Sequence, residues 1–223
     1  MIAQYLEHTL LSPTAAFAEM DKLVAEAIEH HFVGVCVPPF WVKKVKRDLR
    51  QHDIAVVTVV GFPLGYNRSE VKRYELQSCI RDGADELDVV MNVGAVKAGA
   101  YPWVKQEMAA LAQEAHQHER LLKVILETAY LSPEEIVQSC KVCVEAGVDF
   151  IKTSTGYAPE GATLEGIRLI KESIPAGVGI KASGGIRTLA QAQAFIAAGA
   201  ERIGTSAGVS IVAEAQQAGG GAV

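Results

Sequence analysis

The sequence predicts a single-domain α/β fold, a (β/α)8 TIM barrel, and three observations carry that expectation. Short β-branched apolar runs alternate with longer helical patterns almost from end to end. Eight such runs fit into 223 residues, a usual span for one barrel of this kind. No G-x-G-x-x-G follows the first strand, which argues against an open dinucleotide-binding sheet.

The strands are predicted at Glu7–Leu10, Phe32–Val37, Ala55–Gly61, Glu86–Met91, Leu121–Glu127, Asp149–Thr153, Gly179–Ser183 and Arg202–Ser206. Continuous apolar strands separated by helices signify a parallel sheet covered on its outer face. Ser12-Pro13 and Ser132-Pro133 each offer an N-cap followed by proline at the first helical position. Ser132 with Glu135, and Thr188 with Gln191, fit a capping box. At the other helix ends a glycine, one residue and an acid recur: Gly83-Ala84-Asp85, Gly147-Val148-Asp149 and Gly199-Ala200-Glu201. Each glycine is free to take the left-handed conformation that stops a helix. The barrel is expected over residues 1–212, with 213–223 as a flexible tail.

Composition narrows the function. A net charge of -5 argues against a nucleic-acid partner, which demands a basic face. The one basic run, Lys43 to Arg47, is interleaved with an apolar residue as on a solvated helix face. No apolar run approaches the ~20 residues that span a bilayer, so no membrane partner is expected. Met1 to Leu11 has no basic n-region and contains Glu7 and His8, unlike a signal peptide. Four cysteines in a chain of this length suggest no disulfide framework, and a reducing cytoplasm is the expected location. Cys140 and Cys143 form a C-x-x-C in mid-helix beside Ile136 and Val144, where packing is the expected role. His116 and His118 have no metal spacing.

Strand alternation places chemistry at the centre of the barrel. In Glu86–Met91 the apolar set Leu87, Val89 and Met91 faces the helices, which turns Glu86, Asp88 and Val90 inward. The same rule turns Lys123 inward beside Leu121, Ile125 and Glu127, puts Lys152 on one face with Val148 and Phe150, and leaves Lys181 inward with Gly179. Four strands thus send Asp88, Lys123, Lys152 and Lys181 towards one axis. Burying unpaired charge costs several kcal/mol, so such convergence calls for a reason. A network that only braces the barrel is one reason, but three lysines facing about two carboxylates repel one another. Imine chemistry is the other. An amine attacks a carbonyl only when unprotonated, and a neighbouring ammonium together with burial favours that neutral form. Lys152, Lys181 and Asp88 also lie towards the strand C-terminal ends, where barrels of this class carry catalytic groups.

The loops after the last strands suit an anion. Thr153-Ser154-Thr155-Gly156, Ser183-Gly184-Gly185 and Gly204-Thr205-Ser206-Ala207-Gly208 combine small residues, which let backbone N–H groups approach a ligand, with hydroxyl donors. Arg187 stands close by in sequence.

With Phe150-Ile151-Lys152-Thr153-Ser154-Thr155-Gly156 and Gly179-Ile180-Lys181-Ala182-Ser183-Gly184-Gly185 in view, the chain resembles the deoxyribose-phosphate aldolase family over nearly its whole length. Glu86 to Asn92, Lys123 to Thr128, Glu7 to Leu11, Gly34 to Val37 and Gly61 to Gly65 share in the resemblance. It implies a metal-independent class I lyase, needing no cofactor, that cleaves 2-deoxy-D-ribose 5-phosphate to D-glyceraldehyde 3-phosphate and acetaldehyde. Lys152 would be the Schiff-base lysine, Lys181 the lysine that perturbs it, and Asp88 the acid/base. Thr9, Cys36, Lys123, Thr153, Gly156, Gly184, Gly185, Gly204 and Ser206 are the expected substrate-binding residues, and a homodimer or homotetramer is implied. Two departures stand out: Glu7 occupies a position that is usually Asp, and Tyr157 one where some members have lysine. Another Schiff-base aldolase, a phosphosugar isomerase or synthase without an imine, and a non-catalytic phosphosugar-binding barrel are the alternatives.

Overall fold

Eight short strands close into one parallel barrel in the computed structural model, which describes residues 1–220. They are β1 (Leu6–Thr9), β2 (Gly34–Val37), β3 (Ala55–Val60), β4 (Glu86–Val90), β5 (Leu121–Ile125), β6 (Phe150–Lys152), β7 (Gly179–Ser183) and β8 (Arg202–Thr205). Each pairs with its sequence neighbour, and β8 returns to β1 through Leu6↔Ile203 and Glu7↔Gly204. The covering helices are α1 (Phe17–His30), α2 (Val42–Asp48), α3 (Ser69–Asp82), α4 (Val93–Lys97), α5 (Tyr101–Gln117), α6 (Pro133–Glu145), α7 (Leu164–Ser173), α8 (Leu189–Ala197) and α9 (Gly208–Gly220).

The apolar faces divide into two unequal cores. Outward residues such as Val35, Val56, Leu87, Val89, Leu122, Val124, Ile151, Ile180 and Ile203 pack under the helices in one large cluster. Inside the barrel only Cys36, Val57 and Val59 form an apolar group, on β2 and β3. The other strands carry Glu7, Asp88, Lys123, Lys152 and Lys181, so the barrel has an apolar flank facing an ionic one. Cys140 and Cys143 are buried in the outer core, and burial pushes the Cys140 thiol up to about 12, which makes both packing groups and not nucleophiles.

The punctuation reads as expected at most ends. Ser132 and Thr188 close their capping boxes, and Gly83, Gly147 and Gly199 all have positive φ. The acid two residues after each of the first two glycines has a further use. Asp85 accepts the Val56 N–H at 2.9 Å and Asp149 accepts the Leu122 N–H at 2.7 Å, each capping the strand next to its own. Two expectations are corrected. Ser12 does not cap α1, because its hydroxyl turns back to Thr14; the helix starts at Phe17, with Glu19 accepting the Ala16 N–H. Residues 213–220, expected in a flexible tail, continue α9. Residues 221–223 of that expected tail lie outside the described residues.

A buried lysine outside the barrel carries a stability prediction. Lys72 on α3 is fully buried; its ammonium donates to the Val90 carbonyl at 2.9 Å and to Glu107 of α5 at 3.0 Å. Burial pulls its pKa down, with Glu107 opposing. Removing only the partner charge strands a buried cation, so Glu107→Gln is expected to cost about 3 kcal/mol. Urea unfolding of the variant against the parent checks this, and it should leave the barrel interior untouched.

Candidate active site

Four strands deliver the predicted charges to one point. Parallel register sets Asp88 opposite Lys123 and Lys152 opposite Lys181. Lys152 Nζ lies 2.8 Å and Lys181 Nζ 2.7 Å from the same oxygen, Asp88 Oδ2, while Lys123 Nζ lies 3.0 Å from Asp88 Oδ1. Asp88, Lys123 and Lys181 have no exposed surface, and Lys152 has 3%.

The balance of charge differs from the expectation. Three carboxylates, not two, face the three lysines: Glu86 pairs with Lys123, and Glu7 pairs with Lys181 while its Oε1 stands 3.5 Å from Lys123. The short first strand concealed Glu7, whose inward orientation follows from β1 pairing with β8. Burial alone would raise the Asp88 carboxyl, but Lys123, Lys152 and Lys181 hold it well below the usual carboxylate range. Burial alone would likewise lower Lys181, but Asp88 and Glu7 outweigh it and its pKa is raised. Lys123 is raised in the same way by Asp88, Glu7 and Glu86. Both therefore remain ammonium groups at neutral pH.

Below this layer the floor is made by Phe150, the first residue of β6. Its ring fills the place where a side chain at Gly179 would stand, 2.2 Å from a would-be Cβ, with Lys123 Nζ 6.0 Å and the Arg202 guanidinium 5.6 Å from the ring centre. Above it, at the C-terminal ends of the strands, a cavity of about 370 Å³ opens to solvent. Of the ionic cluster, only Lys152 lines it. Thr9, Gly156, Gly184, Gly185, Gly204 and Ser206 line it too, joined by Ser12, Thr155, Tyr157, Ser183 and Arg187, among others.

Three expected substrate-binding residues stand elsewhere. Thr153 follows an inward lysine and so points outward, where its hydroxyl donates to the Ser183 carbonyl at 3.2 Å and accepts the Ser183 N–H at 3.1 Å, bracing β6 against β7. Lys123 lies below Asp88 among carboxylates, and Cys36 is sealed in the apolar flank, where burial raises its thiol despite Lys181 and Lys152. None of the three borders the cavity.

The loops around the cavity are held rigidly. Gly184 and Gly185 have φ of 88° and 77°, and Gly161 packs so closely on the Gly184 carbonyl that a Cβ there would fall 2.0 Å from its oxygen. Tyr157 spans the mouth, its hydroxyl donating to the Leu11 carbonyl at 2.8 Å and its ring edge-on to Phe62. Glu127 reaches under the β6 loop to accept the Thr155 N–H at 3.1 Å and pairs with the Thr155 hydroxyl. Ser12 escaped the sequence reading as a site residue because its position depends on a loop path; Tyr157 was noted there only as a departure from the family's lysine, and Glu127, turned inward by alternation, in fact lies past the end of β5.

A family model described as DeoC/LacD family aldolase matches residues 2–214. The chain belongs to the DeoC/LacD aldolase family. This DeoC/LacD aldolase is 50% identical over 218 residues to the deoxyribose-phosphate aldolase of Brevibacillus brevis, covering 98% of each chain. It is 48% identical over 219 residues to the enzyme of that name from Thermococcus gammatolerans, covering 97% of each. Among solved structures, the tetrameric deoxyribose phosphate aldolase from Aeropyrum pernix superposes with a TM-score of 0.90 at 31% identity, covering 97% of this chain and 92% of that one. A DeoC/LacD aldolase fits the geometry: a single solvent-facing lysine, seated on a buried acid, beneath loops rich in N–H and hydroxyl donors.

Proposed function

We propose that this chain reversibly cleaves 2-deoxy-D-ribose 5-phosphate to D-glyceraldehyde 3-phosphate and acetaldehyde through an imine on Lys152, a step in deoxyribose phosphate breakdown. The observation that carries this reading is that Lys152 alone joins the ionic cluster to the cavity. The family and its deoxyribose-phosphate aldolase relatives support the substrate. The phosphate would rest on the loops of Gly184, Gly185, Gly204 and Ser206, close to the start of α9 and to Arg187, where backbone N–H groups and positive charge favour an anion.

Lys152 passes a proton to Asp88, its free amine adds to the C1 aldehyde of the open-chain sugar, and return of that proton to the carbinolamine hydroxyl expels water and gives the iminium. The C2–C3 bond electrons then move to nitrogen as the C3 hydroxyl gives up its proton, releasing D-glyceraldehyde 3-phosphate and leaving an enamine. Protonation at C2 and hydrolysis free acetaldehyde and regenerate the amine. Asp88, held beside the Lys181 ammonium, lies behind Lys152, so it exchanges protons with the reacting carbons through a water admitted with the substrate. The buried carboxylate of Asp88, 2.8 Å from Lys152 Nζ, favours the positively charged iminium that precedes carbon–carbon cleavage.

Borohydride added with acetaldehyde should trap an ethyl group on Lys152, located by peptide mass mapping. Label on Lys181, or none anywhere, would refute the imine assignment. A phosphosugar isomerase with the same loops would lose no activity in this treatment.

The assembly is proposed to be a homodimer or homotetramer, supported by the tetrameric Aeropyrum pernix relative and by the exposed aromatic residues Phe17, Phe40 and Trp103. A cytoplasmic location is supported by four cysteines that are all free. No described helix is long and apolar enough to cross a membrane.

A further inference from the structure

The geometry assigns to Glu7 the task of fixing Lys181 in place as a permanent cation, so that proton exchange at Asp88 is directed to Lys152. This inference rests on the imine reading above and goes beyond it by naming a positioning residue that does not touch substrate.

Asp88 Oδ2 has two ammonium neighbours at almost equal distances, Lys152 at 2.8 Å and Lys181 at 2.7 Å. Nothing in that pair of distances says which of them gives up a proton when the aspartate takes one. The second partners decide it. Lys152 has Asp88 as its one ion-pair partner among the described residues and reaches the cavity. Lys181 is fully buried, is paired with Glu7 on its other side, and has its Cε 3.1 Å from where a side chain at Gly204 would begin. A buried lysine held between two carboxylates keeps its proton and its position.

The other groups around Lys181 support this division. From β2, Cys36 contributes a thiol that burial keeps neutral. From β4 comes Asp88, from β5 Lys123, from β6 Lys152, and from β8 Arg202, whose Nε stands 3.9 Å from Glu7 Oε1. Glu7 is thus the only carboxylate besides Asp88 that Lys181 touches among the described residues. It is 1% exposed and does not line the cavity, which separates it from any contact with the sugar. Its own carboxyl is pushed up by burial but held below the usual range by Lys123 and Lys181, so it carries charge throughout the neutral range.

The sign of the test follows. Lys181 owes its raised pKa to Asp88 and Glu7, so loss of Glu7 lets its proton leave at lower pH. The kcat–pH profile of Glu7→Gln is expected to show its alkaline limb moved down by about one unit or more. Borohydride trapping of acetaldehyde on Lys152 should persist, because the nucleophile is intact. Glu7→Asp keeps the charge but withdraws it by one methylene. Its limb is expected to shift the same way by less, and it serves if the glutamine variant does not fold. A purely structural Glu7 predicts lower thermal stability with an unmoved limb in both variants, and that outcome overturns the assignment. Absence of trapping in the unmodified protein would instead refute the imine reading.

Discussion

Lys152→Met is expected to fold and to lose essentially all turnover, by at least about 10⁵-fold, since no other group at the cavity surface forms the imine. Methionine matches the length of the lysine stem and fills the same space. Asp88 retains Lys123 at 3.0 Å and Lys181 at 2.7 Å, so the carboxylate is not orphaned. The melting temperature should accordingly stay within a few degrees of the parent. Two measurements check this: coupled detection of D-glyceraldehyde 3-phosphate release, and mass analysis after borohydride, which should show no ethyl adduct at any lysine. Turnover within about a hundredfold of the parent would mean that carbon–carbon cleavage needs no lysine nitrogen here.

Asp88→Asn is expected to damage both activity and stability. It keeps the shape of the side chain but leaves three ammonium groups facing two carboxylates, with all three lysines losing a contact at once. Breaking a buried pair from one side costs about 3–5 kcal/mol, and loss of the proposed acid/base group should lower kcat by about 10²–10⁴-fold. The pH dependence separates these effects. In the parent, Asp88 titrates well below its ordinary value of 3.8, so its ionised form stabilises the fold above that value and the contribution is lost as pH falls through the lower, folded-state value. Lys181, raised by its anions, contributes stability that is complete below the ordinary lysine value of 10.5 and is lost only as pH rises through the folded value. In the variant a surplus proton is held at a cost, and releasing it relieves that cost. The stability gap between parent and variant should therefore narrow as pH is raised from 7 towards 10 in denaturant titrations. A gap that is constant over this range would show that charge is not what Asp88 supplies.

Alternation was enough to find the centre of this molecule. Asp88, Lys123 and Lys181 were legible because each sits between outward apolar neighbours, and Lys152 because it follows Ile151; a two-residue period converts that pattern directly into direction. Glu7 was not, since a four-residue strand without an apolar run on both sides has too little pattern to orient it. Thr153 was misplaced for the converse reason: a hydroxyl in a Ser/Thr-rich loop looks like a ligand donor, yet the period that turns Lys152 inward turns the next residue out. The cavity wall depends on contacts distant in sequence. Tyr157 meets Leu11 across 146 residues, and Gly161 meets the carbonyl of Gly184 across the gap between two loops. The carboxylate reach of Glu127 under the β6 loop depends on a left-handed backbone at a non-glycine residue, which composition does not signal.

The place of Lys152 implies an order of events. Phe150 fills the space beside Gly179 at the floor, and the cavity above it opens to solvent at the C-terminal ends of the strands. Lys152 and the loops proposed to hold the phosphate line the same cavity. On the proposed imine mechanism the two fragments leave in a fixed order, because cleavage frees the phosphorylated half while the two-carbon half is still bound to Lys152. The phosphorylated half, held noncovalently, departs first, and the two-carbon half stays tethered until its place is free for water. Run backwards, the same mechanism loads acetaldehyde before its partner, so the small aldehyde primes the protein and the phosphorylated one closes the queue.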